Sequence, residues 1–148
     1  HLSKWFIYVN GYKLETKIVM TEITVNILKK IAQIIYDKKG FNILALDIRE
    51  ISSFTDYFLI AEGNVDRHVH AMSNEIQQVL REEEGIKAYR VEGQSEGDWV
   101  VLDYVDFVIH LFNPELREKY RLEHLWSESK LVELDITVEE DMVHDDLK

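Results

Sequence analysis

The stretch from Gly97 to Phe112, GDWVVLDYVDFVIHLF, decides the fold of this chain. It contains two apolar runs, Trp99 to Asp103 and Phe107 to Phe112, which are separated only by Tyr104-Val105-Asp106. Short runs rich in valine, isoleucine and aromatic residues, joined by a few residues, are typical of paired β-strands. The stretch therefore predicts a hairpin of two long strands.

Trp99 is the most informative residue of this hairpin. Because side chains alternate between the two faces of a strand, Trp99, Val101 and Asp103 are predicted to share one face of the sheet. Val100 and Leu102 are predicted to point to the other face. A tryptophan here is ordinarily a core residue, but tryptophan is also favoured as a buried anchor in protein interfaces. Residue chemistry alone favours the core slightly, and both interpretations stay open.

The region before the hairpin predicts a helix and two strands. Isoleucines three and four residues apart predict a helix that begins near Thr21, with Thr21 or Thr24 as its N-cap, and ends at Lys38-Lys39-Gly40. Ile43 to Ile48 and Tyr57 to Ala61 are the predicted strands. The first helix and these strands indicate a fold that mixes both kinds of element.

Two further helices and a short strand complete the prediction. The second helix follows Gly63, with Asn64 or Asp66 as its predicted N-cap. A short strand is predicted at Tyr89 to Val91, and Pro114 indicates the start of a final helix because proline is favoured in the first turn. The order of elements predicts an α/β (α+β) fold, in which helices flank a mixed sheet of about five strands.

The two ends of the chain differ from its middle. Residues 1–19 contain an Asn10-Gly11 pair between two apolar runs, which is typical of a β-hairpin. This atypical extension is interpreted either as a genuine hairpin or as a stretch derived from upstream translation or a sequence extension. Residues 20–126 are the predicted domain. Residues 127–148 are an acidic tail, in which Leu131 to Val138 are compatible with one edge strand.

The composition is that of a globular protein with one core. The chain has 148 residues, of which 46% are hydrophobic and 30% are charged, which distinguishes it from disordered sequences. It contains no cysteine, so disulfides, zinc–thiolate sites and thiol catalysis are excluded. No apolar run approaches the length of about 18 residues that spans a bilayer, and no signal or transit peptide is recognisable. The expected location is the cytoplasm, with no membrane partner.

The net charge restricts the kinds of partner. The formal charge is −11, and residues 127–148 supply six of these charges because they hold eight acidic and two basic residues. A negative surface repels phosphate, so no direct nucleic-acid binding is expected. A basic protein is the expected partner. The tail is expected to solvate the protein, and mimicry of RNA toward a basic partner is the alternative.

A search for catalytic and metal-binding motifs finds none. Gly63 lies at a predicted strand-to-helix turn, as in nucleotidyltransferases, but no strand-borne Asp-x-Asp pair follows it. His68 and His70 lie two positions apart on a predicted helix, so they are not expected to share a metal. His110 is expected to be a hydrogen-bonded histidine of the core or the sheet edge. We predict no catalytic residue, no metal site and no cofactor.

Seven short blocks of sequence between Ala45 and Trp126 occur in one characteristic order. They are ALDI at 45–48, FTDYFLI at 54–60, GNVDRHV at 63–69, VEG at 91–93, GDWVVLDY at 97–104, DFVIHLF at 106–112, and the RE, YRLE and LW of residues 117–126. Together they resemble the ribosomal silencing factor family, also called the Iojap family. The helix after Met20 is similar to the first helix of that family. Residues 1–19 and the tail after Trp126 lie outside the resemblance.

The resemblance implies a binding protein rather than an enzyme. Family members are similar in binding ribosomal protein fourteen of the large ribosomal subunit, where the docked factor sterically blocks joining of the small subunit and represses translation. The resemblance also implies a nucleotidyltransferase-like fold without the active site, and a possible homodimer when the protein is free. A nucleotidyltransferase-like enzyme and a homodimeric adaptor unrelated to ribosomes are the alternatives.

A partner-binding patch is predicted on the hairpin. Its centre is expected at Trp99, Val101, Asp103 and Tyr104. The weaker candidates are Tyr57 on a neighbouring strand and Glu92 at the mouth of the hairpin. Apolar and aromatic side chains would supply affinity, and acidic side chains would select a basic partner and accelerate encounter.

Overall fold

A six-stranded mixed sheet organises the fold. The computed structural model describes residues 6–121, 124 and 127–139, without the side chain of Tyr120. The helices and strands are β1 (Phe6–Val9), β2 (Tyr12–Glu15), α1 (Thr16–Asp37), β3 (Phe41–Asp47), β4 (Tyr57–Glu62), α2 (Asp66–Glu83), β5 (Arg90–Glu92), β6 (Trp99–Asp103), β7 (Phe107–Phe112), α3 (Pro114–Tyr120) and β8 (Lys130–Leu131). The strand order of the large sheet is β5-β6-β7-β4-β3-β8, and β1 and β2 form a separate hairpin.

The predicted α+β fold and its central hairpin are confirmed. β6 and β7 pair antiparallel, with Trp99 opposite Phe112 and Asp103 opposite Val108. β4 and β7 run parallel, whereas the other described pairs of the large sheet are antiparallel. The sheet has six strands instead of about five because β8 adds to the edge formed by β3.

Each face of the sheet packs against different helices. The main core lies on the face covered by α1 and α2, and its fully buried side chains include Leu28, Ile76, Val100, Leu102 and Ile109. A smaller cluster lies on the opposite face, where Ile60 and Phe112 pack near Leu116 of α3. Full burial of such a side chain contributes roughly 1.5–3 kcal/mol to stability. Because α3 has only seven residues, it covers only one part of the second face.

The predicted starts of α1 and α2 are wrong in detail, whereas α3 begins at Pro114 as predicted. α1 begins at Thr16, so residues 16–19 are helical and do not extend the N-terminal hairpin. Its N-cap is Glu15, without a side-chain cap, and the Thr24 hydroxyl donates to the carbonyl of Met20 within the helix. α2 likewise has Val65 as its N-cap and no side-chain cap. The chain enters both helices from extended backbone.

The described part of the acidic tail is bound to the domain. Only Lys130–Leu131 pair as a strand, so the edge strand is shorter than the predicted Leu131 to Val138. After β8 the chain runs along α1, and Thr137 exchanges two hydrogen bonds with Gln33 at 3.1 and 2.8 Å. Alternate apolar side chains pack against the main core; they are Val132, Leu134 and Ile136. Residues 1–5 and 140–148 lie outside the described residues.

No described helix combines the length and the apolar character needed to cross a membrane.

Candidate partner-binding face

One part of the sheet, on the side away from α1 and α2, is not buried. We call it the Trp99 face; its members are Trp99, Val101 and Asp103 of β6 and Glu92 of β5, together with the buried His110 of β7 beneath the indole. Trp99, Val101 and Asp103 are partly exposed, and Glu92 is exposed. Glu92 pairs with Val101 across the strands, which places both side chains on the same face. The predicted alternation along β6 is confirmed.

The Trp99 indole is held by two residues of β7. Its ring stacks on Phe112, with ring centres 4.9 Å apart and planes inclined by 29°. Its Nε1–H donates to Nδ1 of His110 at 3.2 Å. A tryptophan combines a large apolar ring with one donor, and both parts are engaged here. The indole is therefore a fixed, partly exposed aromatic surface.

A tight turn before β6 sets the position of Trp99. Gly93 has φ +78°, and a Cβ atom at this position would lie 1.9 Å from the carbonyl oxygen of Trp99. Gln94 binds α2, because its side chain accepts from the hydroxyl of Ser73 and donates to Asn74. The start of β6 is thus fixed to the helix layer.

A strained turn at the other end of β6 orients Asp103. Val105 has φ +75°, and the N–H of Asp106 donates to the carbonyl of Tyr104 at 2.9 Å, which defines a γ-turn. The N–H of Val105 donates to the carboxylate of Asp103 at 2.8 Å, and Thr55 donates to the carbonyl of Val105. A β-branched residue at positive φ is unfavourable, so these bonds hold the turn in place.

The structure corrects two predicted members of the patch. Tyr104 is 9% exposed and Tyr57 is 2% exposed, and both belong to the main core on the opposite face. Burial raises the pKa of Tyr104 to about 12, and its ring stacks on Phe107. Burial also raises the pKa of Tyr57, whose ring lies beneath the guanidinium of Arg49. Both residues contribute to the core and not to the Trp99 face.

The two histidines of α2 have different surroundings. His68 Nδ1 accepts from the backbone N–H of Asn64 at 2.9 Å, so its Nε2–H donates to the carbonyl of Lys38 at 2.6 Å. His70 is exposed. Within the described residues, no group of three or more histidine or carboxylate side chains is arranged for a metal ion.

An open hollow of about 610 Å³ lies where β4 and β7 lead into α2 and α3. This is the position at which the predicted strand-to-helix turn suggested nucleotidyltransferases. Its carboxylates are Asp66 and Glu115, and Asp66 accepts from the side chain of Asn113 at 3.0 Å. Asp66 is therefore engaged in joining the two helix starts, rather than capping α2 as predicted.

Sequence reasoning missed the contact between His110 and Trp99. The register pairs Trp99 with Phe112 and Val101 with His110, so Trp99 and His110 are diagonal neighbours on one face. Counting outward from the short turn at residues 104–106 predicts this register. The hairpin sequence therefore contained the signal for the contact.

Comparison with known proteins identifies relatives across most of the chain. A family model described as ribosomal silencing factor during starvation matches residues 21–146. The match continues past Trp126, where the recognisable blocks end. A ribosomal silencing factor of Bacillus subtilis is 43% identical over 110 residues, which cover 74% of this chain and 92% of that protein. Arabidopsis thaliana proteins named Iojap are also similar.

Solved structures agree with these sequence relatives. A crystal structure of a Chromobacterium violaceum protein has a TM-score of 0.65 and 34% identity, covering 68% of this chain and 83% of that one. A crystal structure of a Bacillus halodurans protein has a TM-score of 0.62 and 33% identity, covering 77% of this chain and 98% of that one. The fold is therefore shared with solved proteins along most of their length.

Proposed function

Because this chain belongs to the ribosomal silencing factor family, we propose that it binds ribosomal protein fourteen of the large subunit and sterically blocks joining of the small subunit. Such an inhibitor performs no chemistry; it occupies a surface and is large enough to clash. The chain has a mass of 17.5 kDa. Repression of translation follows because subunits that cannot join do not form a translating ribosome.

The observation that supports this proposal best is the fixed indole of Trp99 on a partly exposed sheet face. Interfaces obtain most of their affinity from a few well-packed residues, among which tryptophan is enriched. An aromatic ring that is already ordered loses little conformational entropy on binding. Trp99 is held by Phe112 and His110 before any partner arrives. It is therefore suited to be the anchor of an interface.

Charge supports a basic partner. The chain carries a net charge of −11, and Asp103 and Glu92 lie on the Trp99 face beside Val101. Acidic groups around an apolar centre accelerate encounter with a basic surface and disfavour acidic competitors. We assign partner binding to Trp99, Val101, Asp103 and Glu92, and we remove Tyr104 and Tyr57 from the predicted patch because they are buried.

Sedimentation of purified ribosomal subunits with this protein tests the proposal. We expect the protein to migrate with the large subunit and to lower the fraction of joined ribosomes when the small subunit is added. Trp99→Ala is expected to weaken binding by at least about tenfold. Tyr12→Ala is the matched control, because Tyr12 is 73% exposed on the N-terminal hairpin. Wild-type protein that remains at the top of the gradient would contradict the proposal.

The proposal has further parts that follow from the family. We infer that the chain acts without catalysis or a cofactor, that it works in the cytoplasm, and that it contacts protein rather than nucleic acid. We also infer that the free chain is able to form a homodimer. Light scattering with and without large subunits tests the dimer, and metal-dependent turnover of a nucleotide would contradict the non-catalytic role.

A further inference from the structure

His110 is an unusual residue for the place that it occupies. It lies in the middle of β7, is 8% exposed, and contacts the rings of Phe58 and Phe112. Its Nδ1 accepts from the Trp99 indole. Because an indole nitrogen only donates, Nδ1 must be unprotonated, and the neutral imidazole carries its proton on Nε2.

The fold gains little from a histidine here. Nε2 is buried and has no hydrogen-bond partner among the described residues. A buried donor without an acceptor is destabilising, so the unpartnered Nε2–H offsets much of what the bond to Trp99 contributes to stability. The bond to Trp99 is the polar contact of this ring that the structure shows. The bond to Trp99 is therefore the polar interaction that a histidine adds at this position.

We propose that His110 is the positioning residue of the partner-binding face, and that its Nδ1 holds the Trp99 indole in the orientation that meets the partner. Stacking on Phe112 restricts the plane of the indole, but a half-turn about the Cβ–Cγ bond keeps that plane, and the hydrogen bond to His110 selects one of the two orientations. An indole that is free to rotate must be ordered on binding, which weakens affinity. This inference rests on the proposed function, because it assigns a role within the same face.

Two substitutions separate positioning from packing. His110→Leu removes the acceptor and keeps an apolar side chain of similar size. His110→Asn keeps an acceptor oxygen close to the position of Nδ1. If His110→Leu fails to fold, His110→Phe replaces it, because a ring at this position retains the contacts with Phe58 and Phe112.

The variants are compared in two measurements. The first is the NMR resonance and hydrogen-exchange rate of the Trp99 indole N–H, assigned with Trp99→Phe. The second is affinity for the large ribosomal subunit. We expect His110→Leu to remain folded, to shift the resonance, to accelerate exchange and to bind about fivefold to tenfold more weakly. We expect His110→Asn to recover most of the affinity.

The outcomes distinguish this inference from the proposed function. Wild-type affinity of His110→Leu, together with loss of the indole bond and weak binding by Trp99→Ala, would overturn the role of His110 alone. Wild-type affinity of Trp99→Ala would overturn the binding face and the positioning role together. An affinity that follows stability in every variant and does not recover in His110→Asn would mean that the histidine only packs.

Discussion

The guanidinium of Arg117 on α3 lies 3.3 Å from the carboxylate of Glu62 on β4, and their side chains are only 11% and 7% exposed. Arg117 also donates to the carbonyl of Asn42 at 2.8 Å, and the Asn42 amide donates to Glu62 at 2.9 Å. Asn42 reaches both groups because it has φ +51° in an irregular part of β3, between Phe41 and Leu44. The three side chains join α3 to the sheet beside the smaller hydrophobic cluster.

Removing one member of this buried pair is expected to be strongly destabilising. Arg117→Met leaves the Glu62 carboxylate buried without its cation, which costs about 3–5 kcal/mol of unfolding free energy. Urea denaturation measures the loss. The matched control is Glu118→Gln, because Glu118 and Arg121 form an exposed pair, and a change within about 0.5 kcal/mol is expected there. Equal effects of the two substitutions would contradict the importance of the buried pair.

Gly93 and Gly85 have similar backbone conformations but different surroundings. Both have φ near +70° to +80°, yet only Gly93 approaches another backbone, that of Trp99. Gly85→Ala is expected to cost about 1 kcal/mol from backbone strain alone. Gly93→Ala is expected to cost about 3 kcal/mol or more, because the turn must open to admit the methyl group. Thermal unfolding measures both, and similar melting temperatures would show that the close approach is absent.

His68 joins the end of α1 to the start of α2 through its two hydrogen bonds to backbone groups of Lys38 and Asn64. His68→Ala is expected to lower stability by about 1–3 kcal/mol, since two backbone groups lose their partner. His70→Ala provides the control, because His70 is exposed two residues away, and its effect is expected within about 0.5 kcal/mol. A metal-dependent gain in the stability of the wild type that is lost in either variant would contradict the structural role.

Val105 offers a substitution that stabilises the protein. Its φ of +75° is unfavourable for a β-branched residue, and its side chain is 54% exposed, so little packing is lost on removal. Val105→Gly relieves about 1–3 kcal/mol of strain against about 1 kcal/mol of added unfolded-state entropy. A net gain of about 1 kcal/mol is expected in urea denaturation. Val138→Gly, at an exposed valine without a positive φ, is expected to give no gain.

The alternation of side chains explains which parts of the site were predictable. It correctly predicts that Trp99 and Val100 lie on opposite faces of the sheet, because β6 is buried on one face only. The same alternation groups Tyr104 with Val100 and Leu102, so it also predicts the burial of Tyr104 and disagrees with the placement of this residue in the patch. Alternation in β4 places Tyr57 beside Leu59 in the same way.

Long-range contacts were not predictable by this reasoning. Gln33 and Thr137 lie 104 positions apart. The tail that carries Thr137 has no helical period, and it pairs with the sheet only at β8. Asn42 similarly depends on an irregularity in β3 that no local signal marks. Elements follow from local periodicity, whereas contacts of this kind depend on where the finished layers meet.

The pKa of His110 is lowered by burial from 6.5 to about 4, and this shift predicts a dependence of stability on pH. Above pH 6.5 the imidazole is neutral in both states, and the neutral form is the one that accepts from Trp99. As the pH falls from about 6.5 to 4, the unfolded chain takes up the proton first, so stability decreases by about 3 kcal/mol in total. His110→Leu lacks this contribution. Urea denaturation at several pH values is expected to show a difference between wild type and variant that changes across this range, while effects of carboxylates common to both cancel. An identical pH dependence in the two proteins would mean that folding does not change the pKa of His110.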